Sequence, residues 1–238
     1  MALLDTRQIT FGGVVVPAYV ASAPKIVKPA RKMNVVKIAG TNREFVEMEY
    51  AWETYDQTYT LFVGDGTEDC TEEALINIAK VLYKDGWQTL VDDYDDEHYR
   101  LAYYQGGLDA ENRYTRLAKF DVTFRCRPER FLNSGDTPVS CPSGEAITNP
   151  TTYNAKPLIK ITGSGSGTLT VGETTMSFTD IVDYLYIDCD KMDVYRLPTE
   201  NRNSLMTGEF PVLVSGDNII SFTGGITACE ITPKWWEI

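Results

Sequence analysis

Histidine occurs once in these 238 residues, at His98, and no two cysteines are spaced as CxxC. One imidazole leaves most zinc sites short of ligands and offers a single candidate for the commonest general base. The five cysteines, Cys70, Cys126, Cys141, Cys189 and Cys229, are odd in number and far apart. They read as reduced thiols acting as small hydrophobes, not as a zinc knuckle or a thioredoxin-like motif. No apolar run approaches the roughly eighteen residues that a bilayer span needs, so membrane insertion is not expected. The run VVVPAYVASA is interrupted by Pro17, and Asp5 stands beside Arg7 in its leader, which is not the pattern of a secretion signal. Basic residues are also scarce, with 22 Lys+Arg against 34 Asp+Glu and a formal net charge of −12. That balance argues against duplex DNA or an anionic membrane as a binding partner.

What is present is strongly sorted along the chain. Residues 6–43 hold seven bases (Arg7, Lys25, Lys28, Arg31, Lys32, Lys37 and Arg43) and no acid. Residues 44–111 hold eighteen acids against three bases, and the remainder is nearly balanced. A basic arm followed by an acidic body can neutralise itself within one subunit, reach across to the next, or be a solvated pattern with no partner.

Alternation at period two dominates the hydrophobic pattern. Val46, Met48, Tyr50 and Trp52 share one side of a strand with glutamates opposite, and Phe120, Val122, Phe124 and Cys126 repeat the arrangement. Both read as half-buried strands of antiparallel sheet with one wet face. One segment differs. Over 69–84, Ala74, Leu75, Ile78, Val81 and Leu82 recur at helical spacing, with Asp69 or Thr71 as caps, Glu72 and Glu73 in the first turn, and Gly86 beyond the end. Four prolines and two glycines between Asn133 and Pro157 mark the best domain boundary. Beyond it, short strands are expected at 158–161, 168–171, 174–178, 184–189, 192–196, 218–222 and 226–231, an all-β sandwich.

Motifs that carry chemistry fail on inspection. GSGSG at 163–167 lacks the GK[ST] of a P-loop and the third glycine of a dinucleotide loop, and reads as a hairpin turn. The acidic run Asp92–Glu97 lacks the glycine and glutamate of an EF-hand loop and reads as a solvated loop between strands. Asp188, Asp190 and Asp193 form the one compact carboxylate group in the second half, where strand-edge charges explain them. Tyr99, Tyr103, Tyr104, Trp235 and Trp236 can stack sugars, but alternating strand aromatics more often form cross-strand core pairs. No catalytic residue, cofactor or metal site is assigned, and the chain is not expected to be an enzyme.

Several stretches nevertheless resemble a known family. GWQTLVDDYDDEHYRLAYYQG at 86–106 and FDVTFRCRPERFLNSG at 120–135 are similar to the core and the end of the first domain of the distal tail proteins of long-tailed bacteriophages. VVKIAGTNREF, with Gly40, resembles that domain's glycine-containing turn. NPTTYNAKPLIKITGSGSGTLTV, YLYIDCDKMDVYR and GEFPVLVSGDNIISF resemble successive strands of the family's second, galectin-like domain. The pieces occur in the family's order over nearly the whole chain.

This resemblance implies a mainly β protein. Residues 1–135 would be a β-sandwich-like ring domain with one α-helix, and 136–238 a galectin-like β-sandwich, with 136–157 as linker and lead-in. It implies a homohexameric ring at the phage tail tip, joining the tail tube protein to a tail-associated lysin or fibre protein while DNA passes through the centre. On that reading Lys25, Lys28, Arg31, Lys32 and Lys37 are candidates for the contact with a neighbouring subunit's acidic surface. A carbohydrate-binding module at the host surface is the alternative.

Overall fold

A computed structural model describes residues 7–64, 72–109, 111–114 and 117–238. The fold is mainly β, with one α-helix among the described residues, and divides between Arg130 and Phe131 into two compact units. The first unit also includes Ile238, and the second runs from Phe131 to Glu237.

The first unit contains β1 (Ile9–Phe11), β2 (Val14–Val15), β3 (Tyr19–Val20), β4 (Arg31–Lys37), β5 (Glu44–Trp52), β6 (Tyr55–Val63), α1 (Glu72–Leu82), β7 (Gln88–Asp92), β8 (Asp95–Tyr104), β9 (Glu111–Tyr114) and most of β10 (Leu117–Leu132). One antiparallel sheet runs β2-β1-β7-β8-β10-β6-β3, with β9 also paired to β10. Phe11 and Phe124 lie three places apart in that order, yet their ring centroids are 4.9 Å apart, so the sheet curls over its own core. Phe120, Val122, Phe124 and Cys126 all point into that core, as their alternation requires. The helix lays Ile78 and Leu82 against the same core and keeps Glu72 and Glu73 in its first turn. Its expected caps, Asp69 and Thr71, and Cys70, lie outside the described residues.

The acidic run Asp92–Glu97 is not the solvated loop its composition suggests. Asp92 ends β7 and Asp95 begins β8, so the turn is only Asp93-Tyr94. Asp92 is buried and accepts hydrogen bonds from the Tyr59 hydroxyl at 2.6 Å and from Arg100 at 3.3 Å. Asp95 accepts from Arg100 at 3.2 Å and Arg130 at 3.4 Å, and lies 2.6 Å from Nδ1 of the buried His98. Burying Asp92 and half-burying Asp95 is tolerable because guanidinium groups meet them there. Its exposed members are Asp93, Asp96 and Glu97.

The second unit contains β11 (Val139–Ser140), β12 (Ala146–Asn149), β13 (Leu158–Val171), β14 (Thr174–Asp188), β15 (Asp193–Tyr195), β16 (Met206–Gly208), β17 (Gly216–Thr232) and β18 (Trp236–Glu237). Its strands are fewer and longer than the sequence suggests. The pairs expected at 158–161 and 168–171, at 174–178 and 184–189, and at 218–222 and 226–231 are each one continuous strand. GSGSG is therefore a bulge inside β13, and the reversal falls at Gly172-Glu173 instead. A side chain at Gly163 would run into the Gly225 carbonyl, and one at Gly225 into the Ser164 carbonyl. The glycines let β13 and β17 cross at a distance no other residue permits.

Those bends build the sandwich. One end of β13, β14 and β17 is flanked by β11 and β15, the other by β12 and β16. Ile159, Ile161 and Ile187 from the first end and Leu169, Val171 and Met176 from the second share one core. The proline-rich stretch after Asn133 supplies β11 and β12, both paired with β17.

Candidate assembly interface

Strands β4 and β5 form a two-stranded sheet of their own, and among the described residues neither outer edge is paired. The sequence favours a hairpin there. Valines and aromatics supply β propensity, and the chain reverses over Ile38–Arg43, where Gly40 takes a φ of 79°. The register pairs Met33 with Met48, Val35 with Val46 and Val36 with Phe45. Side chains of directly opposed residues share a face. Met33, Met48, Val35 and Val46 thus make a two-by-two apolar block on one face. Val36 and Phe45 lie on the other, beside Asn34 and Glu47.

This hairpin is not the half-buried element that its alternation suggests. Every residue of β4, and β5 from Glu44 to Tyr50, is exposed. Phe45 is 60% exposed and Tyr50 98%. The pattern is that of a core strand, but none of these side chains joins the unit's core. Contiguous exposed apolar surface of this kind makes the hairpin a candidate contact site, and a lone two-stranded hairpin is marginal in water without something to pack on.

The five basic candidates fall in two places. The Lys25 carbonyl accepts a hydrogen bond from Gln57 at 3.1 Å, and Lys28 Nζ donates to the Ile238 carbonyl at 2.6 Å. Both line a pocket of about 370 Å³ with Asp92, Asp95, Arg100 and Arg130 on its walls. The other three lie on β4. Arg31 sits 4.9 Å from the Trp52 ring centre, Lys32 is exposed, and Lys37 is 4.0 Å from Glu44.

Groups with chemical potential elsewhere are engaged structurally. Asp188 bonds Lys191 at 2.9 Å, Asp190 bonds Lys156 at 3.3 Å, and Asp193 bonds Asn201 at 2.7 Å. Burial pushes the Cys126, Cys189 and Cys229 thiols up to about 12, far from a reactive thiolate. Tyr99, Tyr104 and Trp235 are buried, Tyr103 meets Trp87 edge-on at 4.9 Å, and Trp236 stacks on Tyr153 at 4.5 Å. A tyrosine group on β14 and β15, not singled out in the sequence, is likewise occupied. Tyr186 stacks on Tyr195 at 5.5 Å, and Lys160 and Arg196 lie within 5.9 Å of the Tyr184 ring centre. No helix among the described residues is long and apolar enough to cross a membrane.

No protein-family model matches the sequence, and no curated protein matches it significantly. Solved structures do match. The Dit protein (gp 19.1) of phage SPP1, described as a paradigm of the hub adsorption apparatus in phages infecting Gram-positive bacteria, superposes with a TM-score of 0.73 at 11% identity. The match covers 94% of this chain and 98% of that one. Chains of the phage P2 baseplate in its activated conformation, with Ca and with Sr, give TM-scores of 0.57 and 0.50 at 10% and 12% identity. Each covers 94% of this chain and 96% of its own. Over nearly its whole length, this chain has the fold of the phage SPP1 hub protein and of the matching phage P2 baseplate chains.

Proposed function

We propose that the chain is a non-enzymatic structural subunit of a phage tail tip or baseplate, assembling through residues 1–135 into a hexameric ring. Residues 136–238 are the accompanying galectin-like sandwich. The ring would join the tail tube protein to a lysin or fibre protein and would belong to the virion. The observation that carries this reading is the uncovered apolar face of the β4–β5 hairpin, in a chain whose fold is that of tail-hub structures. A monomer has no physical use for Met33, Val35, Val46 and Met48 in water, whereas a neighbouring subunit can cover them. Lys25, Lys28, Arg31, Lys32 and Lys37 are proposed to lie at or near the contact with the neighbour's acidic surface. The acidic excess in residues 44–111 suits a channel that DNA traverses, because lumen carboxylates repel phosphates and hold none of them back.

The reading is tested by making the apolar block polar. Val35→Glu with Val46→Glu is expected to raise the subunit dissociation constant by about a hundredfold or more, since two buried valines are worth about 3 kcal/mol or more. Both positions are exposed in the single chain but face each other across the hairpin, so its melting temperature as a monomer should fall only by the small cost of two opposed like charges. Unchanged oligomer mass would remove the hairpin from the interface.

A further inference from the structure

The hairpin's two strands carry opposite charge. Strand β4 has Arg31, Lys32 and Lys37 and no acid, whereas β5 has Glu44, Glu47 and Glu49 and no base. Among the described residues, each strand also has one long edge that no other strand pairs with, β4 on one side of the ribbon and β5 on the other. An open edge recruits another strand unless something blocks it, and lysine on the edge is a common block. Here the block is selective. A second copy that brought β4 to β4 would set Lys32 and Lys37 against themselves, and β5 to β5 would do the same with three glutamates. Only β4 to β5 joins opposite charges, and cross-strand pairs of opposite charge stabilise a sheet while like charges oppose it.

We infer that the free edge of β4 pairs with the free edge of β5 in a second copy of this chain, continuing the two-stranded sheet from subunit to subunit. The inference rests on the ring reading and specifies its contact. A β4-to-β5 contact uses different surfaces on its two sides, so it is head-to-tail, the kind of contact that builds a ring when its rotation closes, where a two-fold contact stops at a dimer. Rotation about a ring axis leaves β4 of every copy running the same way. The new pair is then antiparallel, like the one inside each hairpin. One continuous sheet also brings the apolar blocks of successive copies side by side, so that Met33 and Val35 of one meet the row of Val46 and Met48 of the next.

Two charge-reversed variants test this. Lys32→Glu with Lys37→Glu makes both strands acidic, and Glu47→Lys with Glu49→Lys makes both basic. At a concentration where the wild-type chain is assembled, each variant alone is expected to be monomeric by light scattering. An equimolar mixture is expected to regain the wild-type mass, with the two variants alternating around the ring. Each reversal also weakens attraction inside its own hairpin, where Lys37 faces Glu44, so recovery on mixing and matching far-ultraviolet spectra together show that the variants' hairpins are intact. If either variant alone keeps the wild-type mass, or a mixture of folded variants stays monomeric, the edge pairing is wrong while the ring stands. A wild-type chain that is monomeric at every concentration overturns the ring reading and the edge pairing with it.

Discussion

Asp95 shows most clearly what single residues do here. Burial alone would push its carboxyl up, but the hydrogen bond with His98 and the charges of His98, Arg130 and Arg100 outweigh it and hold the group below the usual range. An acid whose folded value lies below its unfolded value of about 4 contributes stability that is complete above that pH and is lost as pH falls through the folded value. Asp95→Asn should therefore lower the unfolding free energy at neutral pH by about 1–3 kcal/mol, because two guanidinium groups lose a charged acceptor. It should also flatten the acid limb of the stability profile below about pH 4. Denaturant titrations across pH would show it, and equal stability with an unchanged acid limb would contradict it. The thiols give a second check. With Cys126, Cys189 and Cys229 buried and their thiols pushed up to about 12, none should react with a thiol reagent at pH 8 until the chain unfolds. The thiols' role as small buried hydrophobes was legible in the sequence, and that of Asp95 was not. The run Asp92–Glu97 looks like solvated acid until the turn brings Asp92 and Asp95 against Arg100 and Arg130.

Elements were easier to read than their surroundings. The helix was legible from Ile78 and Leu82, and the buried strand from Phe120, Val122 and Phe124, because periodicity reports which side of an element is apolar. It does not report what covers that side. Val46 and Met48 alternate as well as Phe120 and Val122 do, yet the first pair meets water in the single chain. Glycine misled in a different way. The run at 163–167 suggested a chain reversal, but its use lies in letting β13 pass β17 closely, a relation between residues some sixty positions apart. Gly225→Ala should consequently cost about 1–3 kcal/mol, as overpacked sites do. A denaturant midpoint equal to wild type would deny the close approach.

The whole molecule was legible in outline: mainly β, one helix among the described residues, and a tail-hub fold announced by motif order across the chain. Distant structural likeness at 10–12% identity supports that fold where no family model matches, because strand order and core pattern survive changes in most side chains. On the proposed reading, assembly is the level at which the single chain is incomplete, since the apolar block of Met33, Val35, Val46 and Met48 is exposed in it. Multi-angle light scattering on the purified chain over a range of concentrations tests that claim most directly. Six copies of a 26.7 kDa chain give a particle of about 160 kDa, the mass expected of the ring at high concentration. A single species at 26.7 kDa at every concentration would contradict it.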